Sequence, residues 1–186
     1  MSNARDRLLE LLRIHSFARR PVTLASGRQS SFFIDCKQTA LLAEGHVLVG
    51  MVMLSAVREL KDAPGAVAGV ELGGCPLASA VSMASFTNGR ALDAVFVRKD
   101  VKDHGSKRAL EGNSHLPAGT RIVVLEDVVT TGGSTLNAVE KIRAAGYLVT
   151  DVIALVDRVE GGSEAIAAAG LKLHPIFTRQ DFMGDD

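Results

Sequence analysis

The sequence predicts an α/β fold with a central parallel sheet flanked by helices. Short apolar runs rich in β-branched residues, at 66–70, 121–125 and 149–156, alternate with helix-length segments. Alternation of this kind gives a parallel sheet covered on both faces. The chain has 186 residues and 47% hydrophobic content, enough for one domain over 1–186 with a real core.

Each element has its own signal. Leu8, Leu11, Leu12 and Ile14 recur at helical spacing, so 3–18 reads as a helix. Ser26-Gly27 marks a turn between 22–24 and 32–35, which read as a hairpin. A long helix over 41–60 and a buried strand over 66–70 follow. The helix over 76–88 has Pro76 near its start, where a missing N–H costs nothing. Residues 92–97 form a strand, and RKDVKDHGSKRALEG (98–112) is charged and aperiodic, hence an exposed loop. Then come a strand at 121–125, a helix over 133–145 closed by Gly146 and a strand at 149–156. A helix over 162–169, closed by Gly170, leads to a last strand at 171–176.

Composition narrows the partners. Lys+Arg and Asp+Glu balance at 21 each, so net charge advertises neither nucleic-acid nor membrane binding. The apolar stretch 46–57 is too short to span a bilayer. The N-terminal MSNARDRLLELLRIH lacks an apolar signal core, so no targeting segment is read. Cys36 and Cys75 have neither metal nor redox spacing and read as small core residues of a reducing cytoplasm. The five histidines show no ligand spacing.

In sheets of this class ligands sit outside the carboxyl ends of the strands. Three loops there, 71–76, 98–112 and 126–135, carry the chemistry. In VVLEDVVTTGGSTLNAVEKIRAAG (123–146), Gly132 and Gly133 let the backbone turn close to a ligand. Helix-start N–H groups and the hydroxyls of Thr130, Thr131, Ser134 and Thr135 make a phosphate cradle. It is neither GxxxxGK[ST] nor GxGxxG. Glu126 and Asp127 would repel phosphate, so sugar hydroxyls are their natural partners. A phosphate beside vicinal hydroxyls describes a ribose 5-phosphate. The plainer reading is a helix N-terminus with first-turn acids and hydroxyl caps.

Residues 123–135 resemble the phosphoribosyl pyrophosphate (PRPP) motif of type I phosphoribosyltransferases. TLASGRQSSFFIDCK, GVELGGCPLA, FVRKDVKDHGSKRALEG and VDRVEGG resemble the orotate phosphoribosyltransferase branch. The resemblance implies the type I fold, with an N-terminal hood of about 1–40 on a core of about 41–186. It implies transfer of ribose 5-phosphate from PRPP to orotate, with Mg²⁺ carried largely by substrate phosphates. PRPP would be bound by Arg98, Lys99, Lys102, His104, Glu126, Asp127, Val128, Val129, Thr130, Thr131, Gly132, Gly133 and Ser134. Lys102 and His104 would act in catalysis, and Gly73 and Gly74 in a pyrophosphate loop that in this superfamily sometimes holds a non-proline cis bond. Arg158 would clamp the orotate carboxylate beside Thr130, with one of the hairpin phenylalanines, Phe32 or Phe33, over the pyrimidine face. A homodimer is implied, with loop 98–112 reaching into the neighbour's site. Two positions depart from the branch: Ala25 and Gly73 stand where better-known members carry lysine. A purine-type transferase and a PRPP-sensing regulator are the alternatives.

Overall fold

A computed structural model describes residues 2–23, 29–99 and 108–183. The chain begins with α1 (Ser2–His15), β1 (Phe17–Thr23), β2 (Gln29–Ile34), α2 (Lys37–Ala40) and α3 (Ala43–Arg58). Next come β3 (Ala66–Val70), α4 (Gly74–Thr87), β4 (Asp93–Val97), β5 (Leu110–Glu111) and β6 (Ile122–Val129). α5 (Gly133–Ala144), β7 (Asp151–Asp157), α6 (Gly162–Ala168), β8 (Lys172–Thr178) and α7 (Arg179–Met183) complete it.

Six strands form one sheet in the order β5-β4-β3-β6-β7-β8. β4, β3, β6, β7 and β8 run parallel, and β5 pairs antiparallel to β4. Alternating side chains explain the two layers of helices. Val123 and Leu125 face Leu8 and Leu12 of α1, Val49 and Met53 of α3, and Leu77 and Val81 of α4. Ile122 and Val124 face Ala138, Val139 and Ile142 of α5 and Ile166 of α6. After β3 the chain winds outward to β4, then crosses back to lay β6 on the other side of β3. The carboxyl ends of β3 and β6 therefore flank the point where the winding reverses, the expected place for a ligand.

β1 and β2 pair antiparallel as a separate two-stranded sheet. Phe32 is fully buried, its ring 5.1 Å from Phe17 and 5.7 Å from Phe182. α7 thereby ties this sheet to the core.

Several boundaries differ from the sequence reading. The first helix stops at His15, because Phe17 pairs with Ile34 and packs on Phe32. The helix expected over 41–60 is α3, which starts at Ala43 and ends at Arg58; the short α2 before it is separated by Leu42, which is extended (φ −71°, ψ 144°). At that corner Gly45 lies against Thr39 too closely for any side chain. The strand expected at 121–125 runs on through Val129, because Val128 and Val129 pair with Val156 and Asp157 of β7. β5 and α7, with two and five residues, are too short for periodicity to reveal.

Candidate active site

At the end of β6 the chain makes a three-residue turn, 130–132, and enters α5. Gly132 caps α5 with φ +81°, a conformation that glycine adopts without steric cost. Gly133 and Ser134 are exposed, so the first N–H groups of α5 face open space beside the Thr131 and Ser134 side chains. This arrangement suits an anion.

The two acids before the turn lie near the end of β6, and their carboxyl groups adjoin. Glu126 is 5% exposed and accepts a hydrogen bond from the Thr135 hydroxyl of α5 at 2.9 Å. Asp127 lies against the β3–α4 turn and accepts from the Val128 N–H at 2.9 Å. Burial, and then the charge of Asp127, pushes Glu126 up to about 8, against the pull of the Thr135 hydroxyl. Burial also raises Asp127, while the Lys37 charge pulls it back. The cause is desolvation of two adjoining carboxylates. Near neutral pH the ligand-free pair therefore retains a proton.

The β3–α4 turn, 71–73, lies beside this pair. The peptide between Glu71 and Leu72 is cis. Gly73 is buried, and the Asp127 carboxylate fills the space where a Cβ at 73 would stand. Glycine there is a condition of Asp127's position. Residues 70–73 and 126–135, with Lys37 of α2, line a cavity of about 280 Å³. Glu71, Glu126 and Asp127 place three acidic side chains in it. At an effective dielectric near 20, two like charges 4 Å apart repel by about 4 kcal/mol. A polyanionic ligand therefore needs nearby cations.

The stem of the charged loop is described. Arg98 donates to Glu111 at 3.3 Å, and the Lys99 N–H donates to the Glu71 carboxylate at 2.9 Å. Lys141 of α5 donates to the Arg98 and Lys99 carbonyls at 2.9 and 2.8 Å. The stem is thus tied to the β3–α4 turn and to α5. Lys102, His104, Lys107 and Ala25 lie outside the described residues.

After β7, the Arg158 guanidinium lies 3.0 Å from Glu160 and donates to the Phe32 carbonyl at 3.0 Å. Glu160 also approaches Arg179 at 3.8 Å. Phe33 is half-buried under the Arg20 guanidinium, 3.9 Å from its ring centre. Of the two phenylalanines considered for a base contact, Phe32 serves packing and Phe33 retains a partly open face. Cys75 is half-buried, and burial pushes its thiol up to about 11, which suits packing rather than nucleophilic attack. Cys36 is fully buried. A larger apolar groove of about 1070 Å³, between α1, α3 and β8, shares no residue with the cavity described above.

The turns thus bring Thr130–Ser134, Glu126, Asp127, Gly73 and Gly74 to one place, with Arg98 and Lys99 at its rim. The sequence does not single out Lys37, Glu71 or Lys141. Thr135 was named for the phosphate cradle rather than as a partner of Glu126. Lys37 ends the quoted segment TLASGRQSSFFIDCK and carried no spacing signal.

Comparison with known proteins agrees with this geometry. The phosphoribosyl transferase domain family matches residues 40–169. An orotate phosphoribosyltransferase from Sorangium cellulosum (strain So ce56) is 60% identical over 185 residues, 100% of this chain and 96% of that protein. The crystal structure of Mycobacterium tuberculosis H37Rv orotate phosphoribosyltransferase in complex with Fe(III) dicitrate aligns with a TM-score of 0.82 at 36% identity, covering 97% of this chain and 99% of that one. The same enzyme in complex with 5-phospho-alpha-D-ribosyl 1-diphosphate, which is PRPP, aligns with a TM-score of 0.79 at 35% identity, over 96% and 98% of the two chains. With a family match across most of its length and relatives of this identity, the chain belongs to the phosphoribosyltransferases, in their orotate branch.

Proposed function

We propose that the chain transfers the ribose 5-phosphate group of PRPP to orotate, giving orotidine 5′-phosphate and pyrophosphate, a step in making UMP. The observation that carries this is one cavity holding a phosphate cradle, a buried acid pair and a narrow glycine turn. The cradle at Thr131–Thr135 takes the 5′-phosphate. Glu126 and Asp127 take the ribose hydroxyls, and Leu72–Gly74 offers backbone N–H groups to the pyrophosphate. Arg158 and Thr130 meet orotate, with Phe33 against its ring. Residues up to about 40 form the hood over a core of 41–186.

As pyrophosphate leaves, negative charge grows on it and positive charge on the ribose C1 and ring oxygen. A ring nitrogen of orotate attacks C1. The residues orient the reactants, neutralise the leaving charge and exclude water. Arg98 and Lys99, with Lys102 and His104 further along the loop, supply neutralisation. In the homodimer that we infer, the loop reaches the neighbouring site. Mg²⁺ fits the hard oxygen donors of Glu71 and Asp127 and rides in with PRPP. When bound, it adds charge neutralisation at the phosphates. The reaction belongs in the cytoplasm, in keeping with the reduced, unpaired Cys36 and Cys75.

The test follows orotate absorbance with purified protein, PRPP and Mg²⁺. A fall that needs all three supports the reading. No fall, with adenine or guanine consumed instead, would sink it. Lys102→Ala should lower turnover by ~10²–10³-fold, the usual loss for one donor to developing charge, with the fold intact by circular dichroism. Unchanged turnover removes Lys102 from the mechanism.

A further inference from the structure

We propose that Lys37 is a PRPP-binding residue whose ammonium contacts the pyrophosphate, supplying from α2 the positive charge that glycine at position 73 does not bring. This rests on the PRPP reading above. Three observations lead to it.

First, Lys37 is the only cationic side chain among the described residues lining the cavity, which also holds Glu71, Glu126 and Asp127. A pyrophosphate entering beside three acidic groups meets repulsion that one well-placed ammonium offsets. Second, Gly73 is closed to any side chain while Asp127 stays where it is. With glycine there, the turn brings no cation of its own, and any cation beside it comes from another element. Third, Lys37 is held ready. Asp35 pairs with its ammonium at 2.6 Å and accepts the Lys37 backbone N–H at 3.2 Å, while Gln38 holds the other Asp35 oxygen at 3.1 Å. The Lys37 side chain keeps 36% of its surface exposed, so it remains available to a ligand. The Lys37 charge already acts on Asp127 across the cavity. The bland alternative is that Lys37 only balances Asp35 and Asp127 in the ligand-free protein.

Lys37→Gln and Lys37→Arg separate these readings by calorimetry with PRPP, pyrophosphate and ribose 5-phosphate, each with Mg²⁺. Lys37→Gln should weaken PRPP and pyrophosphate by about tenfold or more, the loss expected for one charge-assisted contact. Ribose 5-phosphate, which lacks the pyrophosphate, should bind within about twofold of wild type, and Lys37→Arg should recover most of the PRPP affinity. Unchanged pyrophosphate binding in Lys37→Gln overturns the proposal. So does an equal loss for ribose 5-phosphate, which places Lys37 in service of the acid pair or the fold. A wild-type protein that fails to bind PRPP overturns the underlying site reading as well. One that binds PRPP but leaves orotate unconsumed overturns only the base, and the Lys37 comparison is still read from binding.

Discussion

Two turns at neighbouring strand ends do unlike work with unlike means. The β6–α5 turn, 130–132, carries its own chemistry. Its hydroxyls, its left-handed glycine and the N-terminus of a 12-residue helix are contiguous in sequence. The β3–α4 turn, 71–73, brings one acid, one exposed leucine and one buried glycine. Its surroundings are borrowed: Asp127 from β6 fills the space over Gly73, and Lys37 arrives from α2. A phosphate cradle can be written in one segment. A pyrophosphate site built from three segments depends on how the hood, β3 and β6 pack together.

Substitutions can sharpen or break this contrast. The largest effect should come from replacing both Glu126 and Asp127 by alanine. Losing both carboxyl groups should weaken PRPP by ~10²-fold or more in calorimetry. Inorganic phosphate should still bind at the cradle; unweakened PRPP would show that the ribose lies elsewhere. Next is Gly132→Ala, which puts a side chain at φ +81°. It should cost ~1–2 kcal/mol in denaturant unfolding and weaken phosphate binding about tenfold. A neutral outcome would mean that the cradle tolerates other backbones. Gly73→Ala should act through Asp127, overpacking by roughly 1–3 kcal/mol and weakening PRPP more than inorganic phosphate. Equal weakening of both ligands would erase the distinction between the turns.

A different kind of test is a pH dependence. The folded value of Glu126, about 8, lies above its ordinary 4.5. Its contribution to stability is therefore full below about 4.5 and is lost as pH rises through about 8. Thermal unfolding of the ligand-free protein should show this decline, and Glu126→Gln should flatten it. The same slope in both proteins would assign the decline to other groups.

What the sequence made legible follows the same division. Ala66–Val70 was found to the residue, because a fully buried strand reads as a continuous apolar run. The helix ends at Gly146 and Gly170 were legible because both glycines take positive φ. Thr130–Ser134 was legible as a cradle because its donors are consecutive. The extension of β6 through Val129 was missed because TTGGST drew the loop boundary back onto two acids, whereas pairing with β7 decides the strand. Lys37 carries no sequence signal, because α2 meets the end of β3 only in the folded chain and no spacing records that. Phe32 and Phe33 are adjacent and chemically identical. Only packing against Phe17 and Phe182 separates the buried one from the open one.

The most direct measurement is a crystal structure with PRPP and Mg²⁺ bound. The 5′-phosphate should lie in the Thr131–Thr135 cradle, with the ribose hydroxyls on Glu126 and Asp127. The pyrophosphate should sit at Leu72–Gly74 within reach of Lys37. A pyrophosphate seated in the Thr131–Thr135 cradle, or PRPP bound away from the ends of β3 and β6, would contradict this division between the two turns.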